Sequence, residues 1–118
     1  MKRLFWIGSS LEDLKQFPDE VRGEMGHGLY LAQMGDRPLH AKTLSGLGNA
    51  KVIELRESDR SGTYRVIYTV EWAEFIFVLH AFQKKSKSGI STPKQEIDLV
   101  KRRLKDAVAL YRKLEGEK

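Results

Sequence analysis

The chain has 118 residues, a formal net charge of +5 and no cysteine. This length fits one domain, and 41% hydrophobic with 31% charged residues is typical of a folded globular protein. The composition excludes a disulfide scaffold, a thiolate nucleophile and a cysteine-ligated metal, and the apolar runs are far shorter than the ~20 residues that a bilayer requires. We therefore expect a single domain over residues 1–118, in a reducing cytoplasm.

The basic surplus lies in the second half of the chain. Residues 1–60 carry equal numbers of acidic and basic residues, whereas residues 80–113 hold ten basic and three acidic ones. Such asymmetry indicates a polyanionic partner, most commonly nucleic acid. A solvated basic helix face and an acidic protein partner are the alternatives.

The first third of the chain predicts a strand and two helices. Residues 3–7 have the pattern of a short strand, and the capping box at 9–12 begins a helix of about two turns. Pro18 suits the start of a second helix that runs to about Met34. That helix contains three glycines, which favour close packing against a neighbouring element or, alternatively, a flexible surface: Gly23, Gly26 and Gly28.

The rest of the chain predicts an antiparallel meander and a last helix. Residues 38–50 form a loop with a short extended piece at 41–44. Three strands follow, at 51–56, 63–70 and 75–83. Thr92 to Gln95 then combine a cap with a proline, and begin an amphipathic basic helix.

This order of elements predicts an α+β fold. We expect a small antiparallel sheet with a mixed edge, two N-terminal helices on one of its faces, and the basic helix at the C-terminus. The three histidines are too scattered for a metal site, and the sequence has no phosphate-binding glycine loop, so no metal or cofactor is expected.

An aromatic residue and cations alternate at the end of the third meander strand. Because side chains alternate along a strand, His80, Phe82 and Lys84 should share one face, with Leu79 and Ala81 on the other. An aromatic ring beside cations is what a stacked base and its phosphate need. His80 suits acid–base chemistry near neutral pH, and its alternative is a buried core histidine.

Two arginines on the first hairpin form a second candidate. If residues 56 and 63 face each other, Glu54 pairs with Arg65 and Arg56 lies diagonally adjacent. The pair could bind a phosphate, or it could belong to a surface salt bridge. Arg65 and Tyr68 cannot share a face of a regular strand, so either a bulge or a structural Tyr68 must be allowed.

Several segments together identify a family resemblance. They are GLGNAKVIELR from Gly46 to Arg56, GTYRVIY from Gly62 to Tyr68, LHAFQKKSK from Leu79 to Lys87, and the helix start TPKQEI from Thr92 to Ile97. On these residues the sequence resembles the phage-derived, Gp49-like branch of the RelE/ParE toxin superfamily, whose members are also described as HigB-like or Tad-like. The resemblance covers essentially the whole chain.

The resemblance implies a toxin of a type II toxin–antitoxin pair. Such toxins cut mRNA in the ribosomal A site without a metal: the ribose 2′-OH attacks the adjacent phosphate and leaves a 2′,3′-cyclic phosphate. A helix-turn-helix antitoxin of the HigA type is the implied partner. The residues that would carry the activity are Arg56, Arg65, His80 and Lys84 for catalysis, and Tyr68, Phe82, Lys85 and Lys87 for RNA binding.

Two other functions fit the same fold. A ParE-like toxin would inhibit DNA gyrase and cut no RNA. A degenerate toxin would keep only the binding of its antitoxin.

Overall fold

The computed structural model describes residues 1–84 and 92–117. Its elements are β1 (Arg3–Trp6), α1 (Ser10–Lys15), α2 (Asp19–Gln33), β2 (Ala41–Thr43), β3 (Val52–Asp59), β4 (Gly62–Thr69), β5 (Phe75–Lys84) and α3 (Lys94–Gly116). The α+β class and the order of the elements are confirmed. The predicted RNA-binding residues Lys85 and Lys87 lie outside the described residues. Within the described ranges, no helix is both long and apolar enough to cross a membrane.

The five strands form one sheet in the order β1-β5-β4-β3-β2. β1 pairs with β5 in parallel, and the other three pairings are antiparallel. The mixed edge is therefore confirmed, and so is the meander of β3, β4 and β5. A two-residue turn joins β3 to β4, because Asp59 pairs directly with Gly62.

Helices cover both faces of this sheet. α1 and α2 pack on one face, where Leu14, Val21 and Met25 lie against residues such as Leu55 and Val66. α3 packs on the opposite face over a second core, built on Ile67, Phe77 and Leu79 from the sheet and on Val100 and Ala107 from the helix. The sheet is therefore buried on both sides over most of its area, and its polar residues stand out as exceptions.

One of the three α2 glycines is a point of close contact. A Cβ atom built on Gly28 would lie 2.5 Å from a terminal carbon of Leu55 on β3, whereas one on Gly23 or Gly26 meets nothing within 4 Å. The close-packing interpretation thus applies to Gly28. Gly23 and Gly26 lie on the exposed side of the helix.

The predicted helix caps are wrong. In α1 the Ser9 hydroxyl donates to the Asp13 carboxylate at 2.8 Å, and the Ser10 hydroxyl donates to the Val78 carbonyl at 3.1 Å. The Thr92 hydroxyl donates to Glu54 on β3, so it does not cap α3. The hydroxyl groups of Ser10 and Thr92 each donate to a buried acceptor of the sheet, and they attach the helix starts to it.

Candidate functional site

Three side chains form a row across the sheet near the start of α3. Arg56 on β3 lies opposite Arg65 on β4, which in turn lies opposite Phe82 on β5. Because neighbouring strands are about 4.8 Å apart, the row spans about 10 Å. The predicted register was wrong by two residues, since Arg56 itself faces Arg65. A shift of two preserves the face of every side chain, so the predicted proximity of the two arginines survives the error.

A buried ion pair lies under this row. Arg65 is 1% exposed and Glu54 is fully buried. Nη1 of Arg65 donates to Oε1 of Glu54 at 2.6 Å, and the Thr92 hydroxyl donates to the other carboxylate oxygen. The surface salt bridge considered from the sequence is thus a buried one. Arg65 places its charge beneath the surface and depends on Glu54 and Thr92 to hold it there.

Further cations surround Glu54 at the surface. Nζ of the exposed Lys42 lies 3.7 Å from Oε1 of Glu54, and Arg56 is exposed beside it. Lys84 is half-buried two residues beyond Phe82. Partial burial and then the positive charge of Arg65 lower the pKa of Lys84, with Glu54 opposing that effect. One buried carboxylate therefore lies among four cations, and the surface has a net positive charge.

Both ring nitrogens of His80 are occupied. Nε2 contacts the Glu96 carboxylate, and Nη1 of Arg103 lies 3.5 Å from Nδ1. A guanidinium group can only donate, so we assign the ring proton to Nε2, from which it is donated to Glu96. Burial lowers the pKa of His80, while Glu96 opposes that shift and Arg103 adds to it.

His80 also supports the aromatic part of the row. Its ring stacks on Phe82 with 4.7 Å between ring centres and 19° between planes. Arg103 completes the support, because Nη1 donates to the Leu79 carbonyl at 2.9 Å and Nη2 donates to Ser9 at 3.0 Å. His80 is 6% exposed. These contacts are those of the buried core histidine that was the alternative interpretation.

A cleft of about 570 Å³ opens beside the row. It lies between α1, the end of β5 and the start of α3, and His80, Phe82, Lys84 and Glu96 are among its lining residues. An aromatic ring and an amine with a lowered pKa thus face one open space. The arrangement can hold an unstacked base and present cations to the phosphate next to it.

Comparison with protein families gives a match over most of the chain. The model of the family described as phage derived protein Gp49-like matches residues 12–105. The chain belongs to this family. No curated protein sequence matches it.

A solved structure shares the fold of this Gp49-like chain. The crystal structure of the isolated RelE toxin of Escherichia coli superposes with a TM-score of 0.53 and 21% sequence identity. The match covers 86% of this chain and 98% of the RelE chain. The Gp49-like protein therefore has the RelE fold, as the resemblance implied.

The bulge in β5 alters the predicted faces of that strand. Ile67 pairs with His80 and Tyr68 pairs with Val78, so Leu79 is an extra residue. As a result Leu79 joins the α3 core, while Ala81 joins the core under α1 and α2. The prediction that Leu79 and Ala81 share a face is wrong. The predicted common face of His80, Phe82 and Lys84 is confirmed, because their partners Ile67, Arg65 and Thr63 alternate regularly on β4.

Tyr68 lies on the other side of the sheet from the row. It is 1% exposed and packs in the core under α1 and α2. Burial raises the pKa of Tyr68 to about 12. The structural alternative for Tyr68 is the correct one, since the folded protein offers no surface on which its ring could stack a base.

Four residues of the site were missed by the sequence analysis. They are Lys42 and Thr92, which contact Glu54, and Glu96 and Arg103, which contact His80. The sequence places Thr92 and Glu96 at the start of a basic helix and Arg103 near its middle, but it does not show where that helix crosses the sheet. No group of three side chains within the described ranges is arranged to bind a metal ion.

Proposed function

We propose that this Gp49-like protein is the toxin of a toxin–antitoxin pair and cleaves mRNA on the ribosome. The observation that supports this function best is the row Arg56–Arg65–Phe82, with Lys84 and a cleft at its Phe82 end. RNA cleavage needs a stacked base and a positively charged surface around the phosphate. The membership of the family and the RelE fold are consistent with this proposal.

The proposed reaction transfers the phosphate within the RNA. The 2′-oxygen bonds to the adjacent phosphorus as its proton leaves, the bond to the 5′-oxygen breaks, and that oxygen takes up a proton. The products are a 2′,3′-cyclic phosphate and a 5′-hydroxyl. Negative charge grows on the phosphate oxygens during this step, so cations held in place lower the barrier.

Lys84 and Arg56 are the side chains proposed to contact the phosphate. Arg56 is exposed and can donate two hydrogen bonds to it. The pKa of the Lys84 amine is lowered toward neutral pH, and this suits proton transfer to or from the reacting oxygens.

The other residues of the predicted set receive supporting roles. Phe82 is proposed to stack a base, and Lys85 and Lys87 to bind the RNA backbone. Arg65 and His80 are proposed as positioning residues, because one is buried against Glu54 and the other has both nitrogens engaged.

The proposed partner is a helix-turn-helix antitoxin of the HigA type, encoded beside this chain. It would bind the toxin and keep it inactive. Co-expression of the two genes, followed by purification through a tag on one product, tests the pairing. A toxin that is neither bound nor neutralised by a neighbouring gene product would contradict it.

Primer extension on an mRNA translated in a purified system tests the activity. We expect cuts that require both the protein and the ribosome, with cyclic phosphate at the new 3′ ends by mass spectrometry. Inhibition of gyrase supercoiling without any cuts would instead support a ParE-like toxin. Neither effect, with the antitoxin still bound, would indicate a degenerate toxin.

A further inference from the structure

An apolar groove with a basic rim lies along α3, outside the row and its cleft. The groove has a volume of about 650 Å³ and runs between α3 and the segment 46–48. Leu47, Leu104 and Val108 supply apolar lining. Three cations of the helix, Lys101, Lys105 and Arg112, line it as well.

The groove lies on one flank of α3, and the α3 residues that contact His80 lie on the opposite flank. At 3.6 residues per turn, Lys101, Lys105 and Arg112 fall within about 40° of one another around the helix axis. Glu96 and Arg103, which contact His80, lie on the other flank of the buried stripe that contains Val100 and Ala107. A ligand in the groove would therefore leave the contacts of His80 intact.

The chemistry of the groove favours an acidic protein segment. Its lining contains three cations, and neither Asp98 nor Asp106 belongs to it. A nucleic acid would use the cations but would leave the apolar lining in water. An amphipathic helix with acidic flanks would cover the apolar lining and pair with the cations, as in other helix-in-groove complexes.

We propose that this groove binds an acidic amphipathic segment of the antitoxin. The inference rests on the partner given under the proposed function and adds where on the toxin that partner binds. The antitoxin is held at the flank of α3, separately from the residues that contact RNA.

Matched charge reversals on α3 test the groove. Lys101→Glu/Lys105→Glu reverses two cations of the lining, and Arg102→Glu/Lys113→Glu reverses two exposed cations of the same helix that do not line it. The purified neighbouring antitoxin is the probe, and its affinity is measured by calorimetry. We expect the first variant to bind about 100-fold more weakly, since like charges would face each other. The second should bind within about threefold of the parent.

Two further variants separate the groove from the site. Val108→Glu places a charge in the apolar lining and should also weaken binding, with its fold checked by circular dichroism. Lys84→Ala should bind the antitoxin as the parent does.

The outcomes distinguish the two proposals. An antitoxin that binds Lys101→Glu/Lys105→Glu as tightly as the parent overturns the groove and leaves the proposed function standing. If that variant binds the antitoxin as tightly as the parent but no longer cleaves RNA, the groove proposal is also overturned, because the groove would then be a surface that binds RNA. An antitoxin that does not bind the parent protein overturns both the partner and the groove.

Discussion

The buried pair of Glu54 and Arg65 is the least expected feature at the scale of single residues. Moving two charges out of water costs several kcal/mol each, and only close contacts repay it. Here the Glu54 carboxylate accepts hydrogen bonds from Arg65 and Thr92, and the Lys42 amine lies 3.7 Å from it. Glu54 offsets part of the mutual repulsion of the surrounding cations, which is what the proposed phosphate-binding role of this surface requires.

Glu54→Ala should destabilise the fold strongly, because it leaves the charge of Arg65 buried without its carboxylate. We expect a loss of about 3–5 kcal/mol in the free energy of unfolding, measured by urea denaturation. The double variant Glu54→Leu/Arg65→Met removes both charges and should lose less than the single variant. A single variant within about 1 kcal/mol of the parent would contradict the role of the pair.

The stability of the protein should fall as the pH drops below about 6.5. Burial lowers the pKa of His80 in the folded state beneath its usual 6.5, so the unfolded chain binds the proton more readily. The neutral, buried His80 therefore makes its full contribution to the free energy of unfolding above pH 6.5. That contribution is lost as the pH falls toward the pKa of His80 in the folded state. The slope can reach at most about 1.4 kcal/mol per pH unit for this one group.

Urea denaturation between pH 7.5 and 5.5 measures this effect. His80→Asn should flatten the dependence, whereas His27→Asn, at an exposed position, should leave it unchanged. The same slope in the parent and in His80→Asn would show that the histidine is not buried in its neutral form.

The alternation of side chains predicted the common face of one set of β5 residues, failed for Leu79 and Ala81 at the bulge, and did not show what lies above the strand. His80, Phe82 and Lys84 could be grouped from the sequence because a strand repeats every two residues. The partners of His80 could not be predicted from the sequence, since Glu96 and Arg103 are 16 and 23 residues away on a helix. Only the packed structure shows that this histidine supports Phe82.

At the scale of elements, α2 approaches the sheet through one glycine. Gly28→Ala should cost about 1–3 kcal/mol, because the new methyl group would overlap Leu55 unless that buried side chain, the helix or the strand moves. Gly26→Ala is the matched control on the same helix, and it should stabilise the protein by about 0.5–1 kcal/mol. Thermal or urea denaturation gives both values. Equal effects of the two substitutions would contradict close packing at Gly28.

The elements themselves were largely predictable, and their irregularities were not. Hydrophobic periodicity and turn residues located every helix and strand to within a few residues. The bulge at Leu79 has no local signal, because it depends on how β4 and β5 twist together. The serine and threonine at the helix starts have the residue types of caps, but buried acceptors on the sheet compete for their hydroxyl groups.

At the scale of the whole molecule, the basic surface combines residues from both halves of the chain, although the excess positive charge lies in the second half. The first 60 residues are neutral overall, yet Lys42 and Arg56 lie beside Lys84 from the basic half. The basic helix is divided as well, since Arg103 faces the sheet while Lys101 and Lys105 line the groove. Charge counts pointed to a polyanion, and the fold separates the region proposed to bind RNA from the groove proposed to bind a protein.

Ribosome-dependent cleavage by Lys84→Ala tests the central claim most directly. The variant and the control Lys113→Ala, which removes an exposed lysine of α3, are compared with the parent by primer extension under single-turnover conditions, after denaturation curves show that all three fold equally. We expect Lys84→Ala to cleave at least about 100-fold more slowly, because the proposed mechanism assigns both charge stabilisation and proton transfer to this amine, and Lys113→Ala to match the parent. Parent-like cleavage by folded Lys84→Ala would contradict the assignment of this surface as the site of RNA cleavage.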